Sequence, residues 1–245
     1  MSSPCRRHFE QVTAAQAAAT VDPGQTMEGA TAYELQLAQL AQDRARLKQI
    51  QSAQGKAELK RQLLPAYQPY VDGVLAAGRG AQDEVLTTIM VWRIDAGDYA
   101  GALEIAAYVL QHNLIMPDRF ARTTGCLIAE EVAEAALKAL KAGETFDVEI
   151  ISRAGSLTKD QDMPDEARAK LHLAYGRAVM VGLDEQDPDA ADLMRAAINL
   201  RRAIDLHSNC GAKKDLERAE RLLKKHAPAD AAPAQEGQGE QQAQG

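Results

Sequence analysis

Apolar positions recur at three- and four-residue steps along most of the chain, and only "KAGETFDVEIISRAG" has strand-like character. Steps of this size lay one apolar stripe along an α-helix. Between residues 28 and 64, Tyr33, Leu37, Leu40, Leu47 and Ile50 form such a stripe on a background of Gln, Arg and Lys, with Arg44 interrupting the seam. One long helix is predicted here, its stripe available for self-association. Ahead of it, Ser3 and Pro4 have the form of an N-cap and a first helical position. They start a short helix carrying Arg6, Arg7 and His8. The breaker cluster "TVDPGQTMEGAT" then predicts a mobile linker, so residues 1–27 read as a basic arm.

Pro65 and Pro69 mark the entrance to a central helical domain, residues 65–150. Val85, Ile89, Trp92 and Ile94 supply the buried face of a helix that stops at "DAGD". Leu103, Ala106, Ala107 and Leu110 give the next helix its core face, Asn113 its C-cap, and Pro117 opens a third helix running to about Leu140. Residues 151–226 repeat the hairpin theme, with Ala174, Gly176 and Ala203 where helices approach closely, as in tetratricopeptide-like hairpins. Residues 227–245 contain no large apolar side chain and are expected to be disordered. The fold class is therefore all-α: a long N-terminal helix, central helical hairpins and a tetratricopeptide-like C-terminal hairpin.

Composition agrees with that pattern, since aromatic residues make up only 4% and helix formers dominate. The net charge of -7 conceals an uneven distribution. Residues 65–150 hold 6 Lys+Arg against 13 Asp+Glu, whereas residues 195–225 hold 9 bases against 4 acids. A polyanion should therefore meet the flanks. The basic candidates are Arg6, Arg7 and His8; Arg44, Arg46 and Lys48; and Arg201, Arg202, Lys213, Lys214, Arg218 and Arg221. Each group alone also reads as an ordinary solvated helix face. Three widely spaced cysteines suggest no disulfide framework, and no stretch resembles a signal sequence or a membrane span, which fits a soluble intracellular protein.

Tests for catalytic chemistry return little. The one Gly-Lys pair, Gly55-Lys56, is followed by Ala57 and lacks the glycine spacing of a phosphate-binding loop. A metal-dependent nuclease needs converging acids. Pro117-Asp118 and Pro164-Asp165 could open such a motif, but the only acid-x-Lys, Glu58-Leu59-Lys60, precedes both. Asp95, Asp98, Asp118, Glu130 and Glu134 remain as an alternative catalytic set, against the plainer reading of solvated helix faces. His207 and Cys210 make half a metal site without a second half, and no metal site is assigned. Trp92 and Arg93 could clamp a base or a phosphate, yet a Trp on an apolar stripe is more often core.

Four stretches together resemble one family: "SPCRRHFEQVTAAQ", the stripe-bearing "YELQLAQLAQDRARLKQIQSAQGKAELKRQLLPAYQPYVDGVL", the central block that combines "VWRIDAGD" with "MPDRFARTT", and the ending "GAKKDLERAERLLKK". They look like the small terminase subunit of cohesive-end temperate tailed phages, sometimes labelled the terminase endonuclease subunit. The resemblance implies a protein that binds the packaging site on viral double-stranded DNA, forms a ring with copies of itself, and recruits a large subunit carrying the ATPase motor and nuclease. It places the protein in the host cytoplasm, away from membranes. Mg2+ and ATP would then belong to the large subunit and no cofactor to this chain, itself non-catalytic within an endonuclease holoenzyme. Two other readings stand beside it: a metal-dependent endonuclease in its own right, and a helical adaptor that never touches DNA. No helix-turn-helix stands out at the start of the chain.

Overall fold

A computed structural model describes residues 3–117, 122–184 and 186–226, and among them are ten helices and no strand. The first, α1 (Pro4–Ala19), starts as its sequence dictates: Ser3 accepts from the Arg6 N–H and Pro4 takes the first turn. It is no free arm. Ala14 and Ala18 are fully buried against α3 (Ala53–Ala77), and the two backbones approach so closely at Gly73 that a Cβ there would lie 2.3 Å from the Gln11 carbonyl oxygen. The stretch expected to be a mobile linker is pinned as well. Gly24 N–H donates to Gly80 O, Gln82 N–H donates to Gln25 O, and Met27 is wholly buried.

The expected long helix is two helices. α2 (Thr31–Lys48) ends at Gln49, and Ser52 caps α3 by accepting from Gly55 N–H. α3 then continues through Pro65 and Pro69, which the sequence reading took as a boundary. A proline inside a helix costs about 3 kcal/mol. Leu63, Leu64, Tyr67, Tyr70, Val71 and Val74 of the same helix are buried, each contributing about 1.5–3 kcal/mol, which outweighs the two prolines.

The stripe assigned to self-association faces the chain's own core. Tyr33, Leu40 and Leu47 are buried, Leu37 packs against them, and Ile50 is half-buried at the turn into α3. Polar ties reinforce that packing: Tyr67 OH donates to Asp43 Oδ2 and Tyr70 OH to Asp83 Oδ2, both at 2.8 Å.

α4 (Glu84–Ala96) lies at the centre, with ten of its thirteen residues buried, which is why its sequence shows no clean polar face. Trp92 is core, edge-on to Tyr67. α4 and α5 (Tyr99–Gln111) are each followed by a left-handed residue, Gly97 and Asn113, whose own N–H and the next one donate to earlier carbonyls. The α4–α5 hairpin is thus a packed one. α6 (Thr124–Lys141) starts at the Thr123 cap, later than the Pro117 start that was expected, and the strand-like stretch is α7 (Val148–Thr158), capped by Asp147.

A second core belongs to α8 (Asp165–Gly182), α9 (Ala190–Leu206) and α10 (Lys213–His226). A Cβ on Gly176 would meet Leu200 at 2.5 Å, so this glycine sets the α8–α9 spacing, as the hairpin reading required. α6 packs on α8 and joins the two cores. Two of the expected domain boundaries, after residues 64 and 150, fall inside α3 and α7. The tail from residue 227 lies outside the described residues. Among the described residues no helix is long and apolar enough to cross a membrane.

Candidate nucleic-acid interface

α10 buries Ala219 and Leu222, packs the half-buried Leu216 and Leu223 beside them, and leaves Lys213, Lys214, Glu217, Arg221, Lys224 and Lys225 exposed. Lys214, Arg218, Arg221 and Lys225 follow each other at steps of four, three and four, which puts four cations on one helix face. Two of the helix's acids are held by arginines on neighbouring helices: Arg177 Nε meets Asp215 at 2.7 Å, and Arg201 meets Glu220 at 2.6 Å. The cationic stripe is left with few acids of its own, and Lys213, Lys214, Arg221, Lys224 and Lys225 have no ion pair among the described residues. Lys224, Lys225 and His226 also sit in the last turn, where positive charge opposes the helix dipole favourably.

Beside the stripe is a cleft of about 350 Å3 lined by Lys141 of α6, Arg177 of α8 and Arg218 of α10. Lys141 and Arg177 were absent from the sequence-derived set. They are far from α10 along the chain; α8 brings Arg177 to it directly, and the packing of α6 on α8 brings Lys141. Arg201 and Arg202 are exposed at the end of α9, so six of the predicted cations gather on the C-terminal unit.

The N-terminal candidates do not gather there. Arg6 pairs with Glu10 at 2.8 Å on its own helix. Arg44 is half-buried, bonded to Thr88 Oγ1 at 2.8 Å and to Glu84 at 2.7 Å, so it ties α2 to α4. Arg46 pairs with Asp43 at 2.9 Å. Arg7, His8 and Lys48 are exposed, and Arg7 borders a cleft with Arg61 and Arg93. Arg93 is itself buried, its guanidinium held by Asp98 at 2.5 Å and by Gln68, which fixes the α4–α5 turn to α3.

The alternative acids among the described residues are each held in an ion pair, although Asp95 and Glu134 line one cleft with Glu131. Asp95 pairs with Lys60; Asp98 caps α5 and holds Arg93. Glu130 accepts from Arg122 Nε at 3.2 Å, and Glu134 from Lys170 at 3.0 Å, a bond that raises the lysine's pKa. Asp118 lies outside the described residues. The acid that does sit among like charges is Glu131, which the sequence reading passed over: burial first, then Asp95, Glu134 and Glu130, push its pKa upward. Among the described residues no three His, Cys, Asp or Glu side chains are grouped to hold a metal ion.

Residues 37–166 match the model of the phage small terminase subunit family. The chain belongs to that family. It is 45% identical over 224 residues to the "Terminase, endonuclease subunit" of Escherichia phage P2, covering 91% of this chain and 87% of the relative. It is 24% identical over 173 residues to the "Probable terminase, endonuclease subunit" of Haemophilus phage HP1 (strain HP1c1), covering 66% of this chain and 60% of that relative. No solved structure matches. The family resemblance drawn from the four sequence stretches is thereby established, and with it a role in phage DNA packaging. The family match covers most of α2 and all of α3 to α7, and stops in the first residues of α8. The cationic α10 lies beyond it, within the C-terminal unit.

Proposed function

We propose that this terminase subunit binds the packaging site of viral double-stranded DNA through the α9–α10 face and leaves cutting to a large subunit. The cationic stripe of α10 carries the reading. Four bases on one face, with neighbouring acids already engaged by arginines, suit a row of phosphates. In this reading the protein acts in the host cytoplasm, and Mg2+ and ATP serve the large subunit. Assembly into a ring belongs to the same proposal, but its apolar contacts must come from elsewhere than the buried stripe of α2. Exposed Phe9 and Val12 of α1 and Leu35 of α2 are the available side chains. Met194 and Ile198, exposed one turn apart on α9, are our choice for meeting the large subunit.

The names of both relatives favour a second reading, in which the chain is itself the endonuclease. The engagement of Asp95, Asp98, Glu130 and Glu134 in ion pairs, with no three such side chains grouped to hold a metal ion among the described residues, weighs against it. Incubating the purified full chain with Mg2+ and linear DNA spanning the packaging region separates the two. The first reading expects retarded, intact DNA; magnesium-dependent cleavage that tracks the protein through purification transfers the activity to this chain.

A further inference from the structure

α7 and α8 face each other across a groove of about 400 Å3 that the sequence reading did not single out. α7 contributes Ser152, Gly155, Ser156 and Lys159, at steps of three, one and three, and therefore from one helix face. α8 contributes Arg168, His172 and Tyr175 at the matching spacing. The lining holds three groups able to carry positive charge and three hydroxyls, and no carboxylate; Lys159 Nζ lies 3.8 Å from the exposed Asp160 carboxylate, and Arg168 donates one bond to the Gln161 carbonyl at 2.6 Å.

Two details indicate a groove shaped for an occupant. Gly155 weakens the interior of α7 without serving helix packing, because a Cβ there would meet only Leu171, at an ordinary 3.7 Å. Its missing side chain keeps the groove open. The imidazole of His172 is also oriented. Asn199 donates through Nδ2 to the Arg195 carbonyl at 2.9 Å, so its Oδ1 accepts from His172 Nδ1 at 2.8 Å. That leaves Nε2 as the second ring nitrogen, free for another partner. Burial, then the charges of Arg202 and Arg168, hold His172 below the usual imidazole pKa. Arg202 thus lies within electrostatic reach of the groove, which links it to the basic end of α9.

We infer that the α7–α8 groove is a phosphate-binding subsite that takes a backbone phosphodiester of the viral DNA. A tetrahedral oxyanion can use donors from several directions at once: the ammonium of Lys159, the guanidinium of Arg168, the Ser152 and Ser156 hydroxyls, and His172 Nε2 once protonated. Entry of the anion offsets the cationic surroundings and favours the imidazolium. The DNA source rests on the recognition role proposed above; the subsite itself rests on the groove.

The test uses the full chain and two variants. Lys159→Glu reverses an exposed charge, and Gly155→Leu fills the groove at a position whose Cβ is tolerated. Histidine ring resonances are followed by NMR across pH with and without inorganic phosphate, and affinity for a packaging-region duplex is followed across salt. The expected result is a saturable upward shift of the His172 titration midpoint with phosphate, lost in both variants. Duplex binding should weaken about tenfold in both, and the salt slope should fall by about one. An unchanged His172 midpoint at tens of millimolar phosphate overturns the subsite, whatever the chain does with DNA. A His172 response combined with wild-type duplex affinity in both variants overturns the DNA source and leaves free phosphate or a nucleotide as ligand. If the wild-type chain fails to bind the duplex at all, the recognition role falls, and the phosphate titration still decides the subsite.

Discussion

Asp83 shows how much a single residue carries. Its carboxylate caps α4 through the Leu86 N–H at 2.9 Å, accepts the Tyr70 hydroxyl, and is fully buried. Burial pushes its pKa up from the ordinary 3.8 to about 6, against the lowering effect of those bonds. The folded state therefore holds this proton to higher pH than the unfolded chain does. The associated stability is complete below pH 3.8 and is lost as pH rises through about 6. Asp83→Asn keeps an acceptor for Leu86 and removes the buried charge. Its unfolding free energy relative to wild type should climb from pH 4 to 6 and level off above, by a total on the order of 3 kcal/mol. A pH-independent difference in denaturant titrations contradicts the assignment. Nothing in the sequence marks this residue, because a buried cap looks the same as a solvated one until its neighbours are known. Trp92 was legible for the opposite reason: its place on an apolar stripe required nothing beyond its own helix.

Among the elements, the existence of helices was readable and their boundaries were less so. The break between α2 and α3 follows from the Ser52 cap, whereas the two prolines that looked like a boundary are outweighed by the apolar face of α3. "FDVEII" reads as a strand only while its partners α5, α6 and α8 are unknown. Docking of α1 was invisible because it depends on small residues, Ala14, Ala18 and Gly73, that carry no hydrophobic signal of their own. Gly73→Val should therefore release α1: hydrogen exchange over residues 4–19 should rise, with a loss of about 1–3 kcal/mol from overpacking. Unchanged protection of that segment would refute the docked arrangement. On α10, Lys214→Glu with Arg221→Glu should lower DNA affinity at least tenfold at moderate salt with little change in melting temperature. An unaffected affinity moves the interface off this helix.

For the whole molecule, the reassigned stripe changes what assembly experiments mean. Leu40 is fully buried within one chain, so Leu37→Glu with Leu40→Glu should unfold the protein, at a cost of several kcal/mol, and not merely dissociate it. Phe9→Ser with Leu35→Ser should instead preserve the circular dichroism spectrum. It should shift the light-scattering mass from a multiple of 26.5 kDa toward that value. A wild-type mass already at 26.5 kDa contradicts the ring. The charge map was legible at this scale as basic flanks around an acidic middle. The sequence did not show which flank remains outward: Arg6, Arg44 and Arg46 are held by acids of their own helix or its neighbours, while Lys213, Lys214, Arg221, Lys224 and Lys225 of α10 stay exposed. The most direct measurement of the central claim is the affinity of the full chain for a packaging-region duplex and for a scrambled duplex, each across a range of salt with Mg2+ present. The account predicts tighter binding to the packaging region, a steep loss of affinity for both duplexes as salt rises, and DNA recovered uncut. Equal, salt-insensitive binding, or cut DNA, would contradict it.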